Sequence, residues 1–280
     1  MDQKTPAPVQ GGARDAFEAR AERVRAVIAL EEPDRVPFYF SIRFWPARLG
    51  GFTYEKAMYE PACLADATRD LVIEFAPDLY QLPTPLGMYG PALDGIDLKA
   101  LVWPGHGAAA DVSYQYLDKE FMGADEYDDY LFDPTGFLLR KLLPRIAGAY
   151  EGFADFPDFA TLYHTKYASA ARAFAREPLA GALRTLAEAG RQLEDGLAEA
   201  RRCVEELEEA GFPFFAGGQT TAPFDLIADY YRGSKGAMLD MFRCPDKLLR
   251  VMEKVRVLFA REVLEGAQGK WGSHVFIPLH

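Results

Sequence analysis

The spacing of apolar residues along the chain predicts a series of helices. The clearest pattern runs from Gly181 to Ala210, where Leu and Val recur at three- and four-residue steps between Glu, Arg and Asp. This spacing places the apolar residues on one face of an amphipathic helix, which Gly211 then ends. Weaker patterns of the same kind predict further helices over Asp15–Leu30, Tyr54–Phe75 with a break at Pro61, Pro134–Leu143, Phe224–Tyr231, Lys235–Arg243 and Pro245–Gly266.

Short apolar or aromatic runs between these helices predict strands. They are Val36–Ile42, Asp78–Leu82, Leu98–Trp103, Val112–Leu117, Phe212–Ala216 and Val275–Leu279. From Gly181 onward the predicted order is helix, strand, helices, strand, which is the alternation of parallel β/α units in an open sheet or a barrel. The pattern supplies fewer strands than the eight of a complete barrel.

Composition and charge narrow the class of protein. The 280 residues are 49% hydrophobic and 26% charged, as in a globular protein with a sizeable core. A net charge of −11 argues against nucleic acid as a partner, because phosphate binding needs a basic surface. No apolar run approaches the ~18 residues of a membrane span, so no membrane partner is expected. Residues 1–14 are rich in Pro, Gly and Gln and predict a disordered lead-in.

The cysteine pattern argues against both a disulfide framework and a metal site. Cys63, Cys203 and Cys244 are odd in number, far apart in sequence and free of any C-x-x-C spacing. We therefore expect three reduced thiols in a cytoplasmic protein. The identity of any metal stays unknown, because the four histidines show no H-E-x-x-H or H-x-H spacing.

The first candidate site is the segment R-F-W-P-A-R, which follows the first predicted strand. Arg43 and Arg48 are candidates for holding a substrate carboxylate, since a guanidinium binds a carboxylate through two parallel hydrogen bonds. The alternative is that they are solvated loop arginines. Nearby aromatic residues are predicted to line an apolar substrate pocket: Phe38, Phe40, Phe44 and Trp45.

The second candidate is His106, in the turn W-P-G-H-G. An accessible histidine bounded by glycines can act as an acid or base near neutral pH, and the alternative is an ordinary loop histidine. His280, at the end of the last predicted strand, is a candidate for the same proton transfer or for binding a metal.

The third candidate is the loop A-G-G-Q-T-T-A-P-F-D-L after the predicted strand Phe212–Ala216. Gly217 and Gly218 are predicted to let the backbone approach a ligand closely, and Gln219 adds hydrogen-bonding groups. Asp225 offers a catalytic carboxylate. The alternative is that Asp225 lies in the first turn of a helix capped by Thr221.

Four blocks of the chain, in order, resemble segments of the uroporphyrinogen decarboxylase superfamily. They are R-V-R-A-V-I-A-L-E-E-P-D-R-V-P-F from Arg23, Y-Q-Y-L-D-K-E-F-M-G-A-D-E-Y-D-D-Y-L-F-D-P from Tyr114, F-P-F-F-A-G-G-Q-T-T-A-P-F-D-L-I-A-D-Y-Y-R-G from Phe212 and G-A-M-L-D-M-F-R-C-P-D-K-L-L-R-V-M-E-K from Gly236. The second block is similar to methyltransferase-like members. The resemblance extends from about Arg23 to His280.

The resemblance implies an α/β protein with the (β/α)8 TIM barrel of this superfamily. Residues 15–280 are then a single barrel domain with its pocket at the C-terminal face of the strands. We expect the barrel to be incomplete, with its last strands and helices missing after His280, which would be a pocket residue. A homodimer is one candidate for the assembly state.

The resemblance also implies candidate residues, with departures from the family pattern. Arg43 and Arg48 stand in for the two arginines of an R-Q-A-G-R loop in the decarboxylase. The decarboxylase tyrosine on the helix after the glycine-rich turn matches Tyr230, or Asp229 in another register. Residues 82–85 read L-P-T-P and lack the aspartate that organises the pyrrole nitrogens of the decarboxylase substrate.

Methyl transfer between a methylated small molecule and a corrinoid carrier protein is therefore the expected function. Zinc and a corrinoid are the cofactors implied for that activity, although the H-x-C motif of the zinc methyltransferases is absent. One alternative is cofactor-free decarboxylation of uroporphyrinogen or another polycarboxylate. The other is a non-catalytic, incomplete barrel fragment.

Overall fold

A computed structural model of the chain describes residues 12–83, 86–215, 217–267 and 274–278. Over these residues the protein is mostly helical with short strands, which makes it a mixed α/β protein. The chain divides into two compact units. The first contains the described parts of Met1–Gly90, Ala108–Ser113 and Gln192–Ala216, and the second contains those of Pro91–Gly107, Tyr114–Arg191 and Gly217–His280.

The α-helices account for most of the ordered backbone. In chain order they are α1 (Ala13–Ile28), α2 (Trp45–Leu49), α3 (Tyr54–Tyr59), α4 (Pro61–Phe75), α5 (Gly90–Ile96), α6 (Tyr127–Phe132), α7 (Pro134–Phe137), α8 (Leu143–Ile146), α9 (Lys166–Ser169), α10 (Ala171–Phe174), α11 (Leu179–Glu209), α12 (Pro223–Asp225), α13 (Gly233–Arg243) and α14 (Pro245–Ala267). Stretches of π-helix occupy Leu138–Leu142 and Leu226–Arg232, and 3-10 turns occupy Leu86–Met88, Ala124–Glu126, Gly148–Asp155 and Phe159–Thr161.

The strands are short and lie in separate small sheets. They are β1 (Tyr39–Ser41), β2 (Leu79–Gln81), β3 (Leu101–Pro104), β4 (Gly107–Ala108), β5 (Gln115–Tyr116), β6 (Gly217–Gln219) and β7 (His274–Phe276). Pairing is parallel between β1 and β2 and between β6 and β7, and antiparallel between β3 and β5. No closed barrel is formed by the strands in the described part of the chain.

The long helices agree with the sequence prediction, whereas two shorter ones are interrupted, and the one predicted over Phe224–Tyr231 is observed as α12 followed by the second π-helical stretch. The helix predicted over Pro134–Leu143 is divided into α7, a π-helical stretch and α8. Pro144 lacks a backbone N–H, and its ring crowds the carbonyl four residues earlier, so a regular α-helix cannot run through it. The strand predicted over Phe212–Ala216 is reduced to one parallel bridge between Phe214 and Tyr80.

In the first unit, a buried carboxylate anchors the start of the parallel strand pair. Asp78 is fully buried just before β2 and accepts a hydrogen bond from the backbone N–H of Phe38, just before β1, at 2.8 Å. Its two oxygens also accept from Arg35 at 2.5 and 2.6 Å, and Arg23 donates to it at 3.1 Å. Both strands are therefore held in register at the same point.

The second unit has its own core of aromatic and aliphatic side chains. Tyr127, Tyr130, Ile227 and Val251 are among its members with at most 2% of their surface exposed. They come from α6, the second π-helical stretch and α14, so these elements share one interior. None of the helices within the described ranges has the length and apolar character needed to cross a bilayer.

Candidate functional site

Two adjoining recesses open directly after β1 in the first unit. The first, which we call the arginine pocket, has a volume of about 330 Å³ and is lined by Ile42, Arg43, Phe44, Trp45, Arg48, Tyr54 and Ser113. The second has a volume of about 480 Å³ and is lined by Arg48, Gly51, Phe52, Thr53, Tyr54 and Asp111. Three residues predicted to bind substrate, Arg43, Trp45 and Arg48, therefore lie together.

The backbone at Arg43 is in an unusual conformation. Its φ angle is 41°, in the left-handed region that residues with a Cβ rarely adopt. Such a conformation costs on the order of 1–3 kcal/mol and persists only where the surrounding structure determines it. Here the N–H of Trp45 donates to the carbonyl of Ile42 at 2.8 Å and closes the turn around Arg43. The turn places Arg43 and the first turn of α2 on the same pocket.

The pocket is electropositive because of its two arginines. Both side chains are exposed, and neither guanidinium makes an ion pair or a hydrogen bond with any residue within the described ranges. Arg48 and Tyr54 line both recesses, and Asp111 contributes a carboxylate to the second one. The arginine pocket can therefore offer two planar donor groups to one anionic ligand.

The aromatic wall of the pocket is smaller than the sequence predicted. Phe44 and Tyr54 stack with ring centroids 4.9 Å apart and an interplanar angle of 14°. Trp45, 43% exposed, packs its ring edge-on against Phe40. Phe40 itself is buried behind Trp45, and neither Phe40 nor Phe38 lines the arginine pocket, so contact between these two phenylalanines and a ligand stays a prediction.

His106 forms a dyad with an aspartate within the second unit. Its Nδ1 lies 3.1 Å from Oδ1 of Asp94, and its ring stacks on Trp103 with a centroid distance of 4.1 Å. When Nδ1–H donates to Asp94, Nε2 becomes the acceptor of the neutral imidazole, which is the arrangement a general base needs. Gly105 and Gly107 flank the turn with φ angles of 85° and 80°.

The glycines predicted to approach a ligand lie in β6. Gly218 is buried in β6, and a Cβ at this position would lie 3.0 Å from the carbonyl oxygen of Val263 in α14. Gly218 therefore allows helix and strand to pack closely. Gly217 is paired with His274 across the sheet, and Gln219, at the end of β6, is exposed.

Asp225 and Tyr230 lie in one neighbourhood of the second unit. Asp225 is 7% exposed at the end of α12, which is preceded by Ala222 without a side-chain cap, so the predicted cap by Thr221 is wrong. Burial raises the pKa of Tyr230, the carboxylates of Asp229 and Asp225 add to the rise, and a hydrogen bond with Tyr116 opposes it. The π-helical backbone here is a feature frequently found at functional sites.

Two of the sequence features singled out above lie wholly or half outside the described residues, namely His280 and the segment L-P-T-P at 82–85. His280 lies outside the described residues, and so do positions 84 and 85. Among the described residues no group of three or more His, Cys, Asp or Glu side chains is arranged to hold a metal ion.

Several site residues were missed by sequence reasoning. Tyr54 and Ser113 complete the arginine pocket, yet they stand far along the chain from Arg43 and carry no motif. Asp94 was missed as the partner of His106 for the same reason. Only the tertiary fold brings these residues together.

Comparisons of this chain with protein-family models, with curated proteins and with solved structures found no match.

Proposed function

We propose that the chain is an enzyme of the uroporphyrinogen decarboxylase superfamily whose arginine pocket binds an aromatic carboxylate. The observation that carries this proposal is the convergence of Arg43 and Arg48, both without an acidic partner among the described residues, on a wall formed by Phe44, Trp45 and Tyr54. Guanidinium groups suit a carboxylate, and aromatic faces suit an apolar ring. The net charge of −11 makes such a pair of unneutralised cations important for attracting any anion.

We extend the proposal to the (β/α)8 barrel that the sequence resemblance implies. Two features support it: β1 and β2 pair in parallel, and the arginine pocket follows the carboxyl end of β1. Enzymes with parallel β/α units bind their ligands at that end of the strands. We propose a cytoplasmic location for the same enzyme.

The reaction we propose is removal of a methyl group from a methylated aromatic carboxylate. The bond between the methyl carbon and the substrate oxygen breaks, the oxygen keeps the electron pair, and it takes up a proton from water. A reduced corrinoid, held by a carrier protein and not by the residues of the recesses, would supply the nucleophile that accepts the methyl group. Arg43 and Arg48 hold the carboxylate, and Trp45 and Phe44 exclude water from the ring.

The two implied cofactors, a corrinoid and zinc, were compared with the size of the recesses and with the side chains of the described residues. The recesses, at 330 and 480 Å³, are the size of small-molecule pockets and too small for a corrin macrocycle, so the corrinoid would stay on its carrier protein. Zinc does not fit the described residues, which provide no cluster of metal-binding side chains. No step is therefore assigned to zinc.

Decarboxylation of a related carboxylate is the second candidate. The same pair of arginines favours it, because both side chains are available to a carboxylate-rich substrate. In this reaction the bond between the carboxyl carbon and its neighbour breaks, carbon dioxide leaves, and the neighbouring carbon takes up a proton. The L-P-T-P sequence, without the family's aspartate, favours methyl transfer over this reaction.

The test supplies the full chain with 4-methoxybenzoate and reduced cobalamin. We expect 4-hydroxybenzoate by chromatography and methylcobalamin by absorbance, in equal amounts. Each charge-assisted hydrogen bond contributes about 1.5–3 kcal/mol, so Arg43→Gln or Arg48→Gln should lower kcat/KM by about 10- to 100-fold. Arg14→Gln, on the exposed surface of α1, serves as the matched control and should change it less than about twofold.

The competing outcomes are distinct. Methoxybenzene and carbon dioxide as products would replace methyl transfer by decarboxylation. No turnover, together with no binding of 4-methoxybenzoate in calorimetry, would rule out the proposed function.

A further inference from the structure

The second recess is lined by charges of both signs. Its guanidinium comes from Arg48, in the last turn of α2, and its carboxylate comes from Asp111. The two groups do not form an ion pair with each other, and neither has a hydrogen-bonding or charged partner among the described residues. Asp111 supplies the one carboxylate among the described residues that line the two recesses. Two opposite charges are therefore both available to one ligand.

The loop that carries Asp111 is fixed against the start of α3. The backbone N–H of Glu55, in the first turn of α3, donates to the carbonyl of Ala110 at 2.9 Å. Two residues beyond Asp111, Ser113 lines the arginine pocket, so one short loop contributes to both recesses. Residues Ala108–Ser113 belong to the first unit, as do α2 and α3. A backbone contact therefore holds the carboxylate in the same unit as the two arginines.

Arg48 and Tyr54 line both recesses and so mark the boundary between them. On the side of the arginine pocket, the ring of Tyr54 stacks on Phe44. On the other side, Phe52 and Asp111 line the second recess. Each recess has the volume of a small-molecule site. A ligand whose carboxylate lies at Arg48 can therefore place a ring in one recess and a further substituent in the other.

The groups around this boundary match the three substituents on the α-carbon of an aromatic amino acid. A carboxylate suits the guanidinium groups of Arg43 and Arg48. An ammonium group, which only donates hydrogen bonds, suits the carboxylate of Asp111. An aromatic side chain suits the wall formed by Phe44 and Tyr54. A carboxylate without an ammonium group would use only part of this arrangement.

We propose that the second recess is an ammonium subsite, in which Asp111 accepts hydrogen bonds from the α-ammonium group of an aromatic amino acid whose carboxylate lies at Arg48. This inference rests on the proposed function and adds an α-ammonium group to its substrate, which becomes an amino acid methylated on a ring oxygen. Such a zwitterion has no net charge. The protein's charge of −11 therefore does not oppose its approach, as it opposes that of a simple carboxylate.

The experiment compares ligands with and without the ammonium group. Binding to the full chain at pH 7 is measured by isothermal titration calorimetry for O-methyl-L-tyrosine and for 3-(4-methoxyphenyl)propanoate, which is the same molecule without the amino group. We expect O-methyl-L-tyrosine to bind about 10-fold more tightly, the lower end for a charge-assisted hydrogen bond, because Asp111 is exposed to solvent. 4-Methoxybenzoate is the reference ligand for the arginine pocket.

Four variants assign the effect to single charges. Asp111→Asn keeps the size of the side chain, and it should weaken O-methyl-L-tyrosine by about 10-fold while changing the propanoate less than twofold. Asp111→Lys should weaken O-methyl-L-tyrosine and strengthen the propanoate, a pair of changes that a loss of folding cannot produce. Arg48→Gln should weaken both ligands, since both carry the carboxylate. Asp15→Asn, on the exposed surface of α1, is the matched control and should change neither by more than about twofold.

The outcomes separate the ammonium subsite from the proposed function. If O-methyl-L-tyrosine binds no more tightly than the propanoate, or if Asp111→Asn weakens both ligands equally, the ammonium subsite is wrong. Binding of 4-methoxybenzoate that is lost in Arg48→Gln would in that case still support the arginine pocket. If the unaltered chain binds none of the three ligands, the proposed function is wrong and the ammonium subsite is wrong with it.

Discussion

At the scale of single residues, Glu126 shows how strongly local contacts change an ionisable group. Both of its carboxylate oxygens accept from Arg145, at 2.7 and 2.8 Å, and the backbone N–H of Gly123 donates to it at 2.8 Å. The side chain is only 15% exposed. The hydrogen bonds from Arg145, more than any other contact, lower the pKa of Glu126 from 4.5 to about 2.

We predict that Glu126→Gln makes this pKa visible in stability. A carboxylate with a lowered folded-state pKa stabilises the fold fully above its unfolded pKa, and this contribution is lost as pH falls through the folded value. At pH 7 the free energy of unfolding of Glu126→Gln should be lower by about 2 kcal/mol. Urea unfolding between pH 7 and pH 2 should show the difference shrinking below about pH 4.5.

Arg145→Met is the control for this prediction. Without the guanidinium, the carboxyl should titrate near its ordinary value, so the added pH dependence should disappear. A difference between Glu126→Gln and the unaltered chain that stays constant from pH 7 to pH 2 would contradict the assignment.

The candidate site residues were predictable only where chain order brings them together. Arg43, Trp45 and Arg48 lie within seven positions after β1, and the motif R-F-W-P-A-R indicated them. The left-handed backbone of Arg43 was not predictable, because no glycine or asparagine marks it. Tyr54 follows the glycine turn that ends α2. Its stacking contact with Phe44 depends on the reversal of the chain at that turn.

At the scale of elements, a buried ion pair joins three segments of the second unit. Arg232, at the end of the π-helical stretch, is 4% exposed and donates through Nε to Oδ2 of Asp240 in α13 at 2.6 Å. Tyr127 of α6 donates to the same oxygen at 2.9 Å. Arg232 also binds Glu120 and the carbonyl of Met122. One fully buried carboxylate therefore fixes the mutual positions of these elements.

We predict that Asp240→Ala destabilises the protein by about 3 kcal/mol, because Glu120 would then be the only charged partner of the buried guanidinium among the described residues. The double variant Arg232→Met with Asp240→Leu should be less destabilised than this single variant, since no unpaired charge remains. Glu188→Ala, which removes an exposed pair with Arg191, is the surface control and should cost less than about 1 kcal/mol. Urea unfolding measures all three, and equal losses for Asp240→Ala and Glu188→Ala would refute the argument.

Helices were predictable over most of their length, whereas strands were predicted too long. The helix predicted over Gly181–Ala210 is observed as α11, because its apolar face recurs without interruption. The strand predicted over Val36–Ile42 is observed only as β1. A strand is defined by hydrogen bonds to a neighbour, and the neighbour is not encoded in the local pattern.

At the scale of the whole molecule, the excess of 42 acidic over 31 basic residues governs behaviour in solution. The sequence pI is about 5.0, where net charge and mutual repulsion between molecules vanish. We predict a solubility minimum near pH 5 and full recovery at pH 8. Light scattering of dilute protein between pH 4 and pH 8 measures it, with circular dichroism confirming that the protein stays folded. A minimum more than about one pH unit away would contradict this prediction.

The sequence by itself determined the mixed α/β class, the positions of the long helices and the candidate residues that follow β1. These follow from periodicity and from chain order, both of which are local properties. Only the tertiary structure decided that the described strands form separate small sheets, that Gly218 packs against Val263, and that Tyr39, Ser41 and Gln81 share one hydrogen-bonded group. Contacts between residues distant in sequence depend on how the elements pack. That packing is determined by the free energy of the whole chain and not by any local segment.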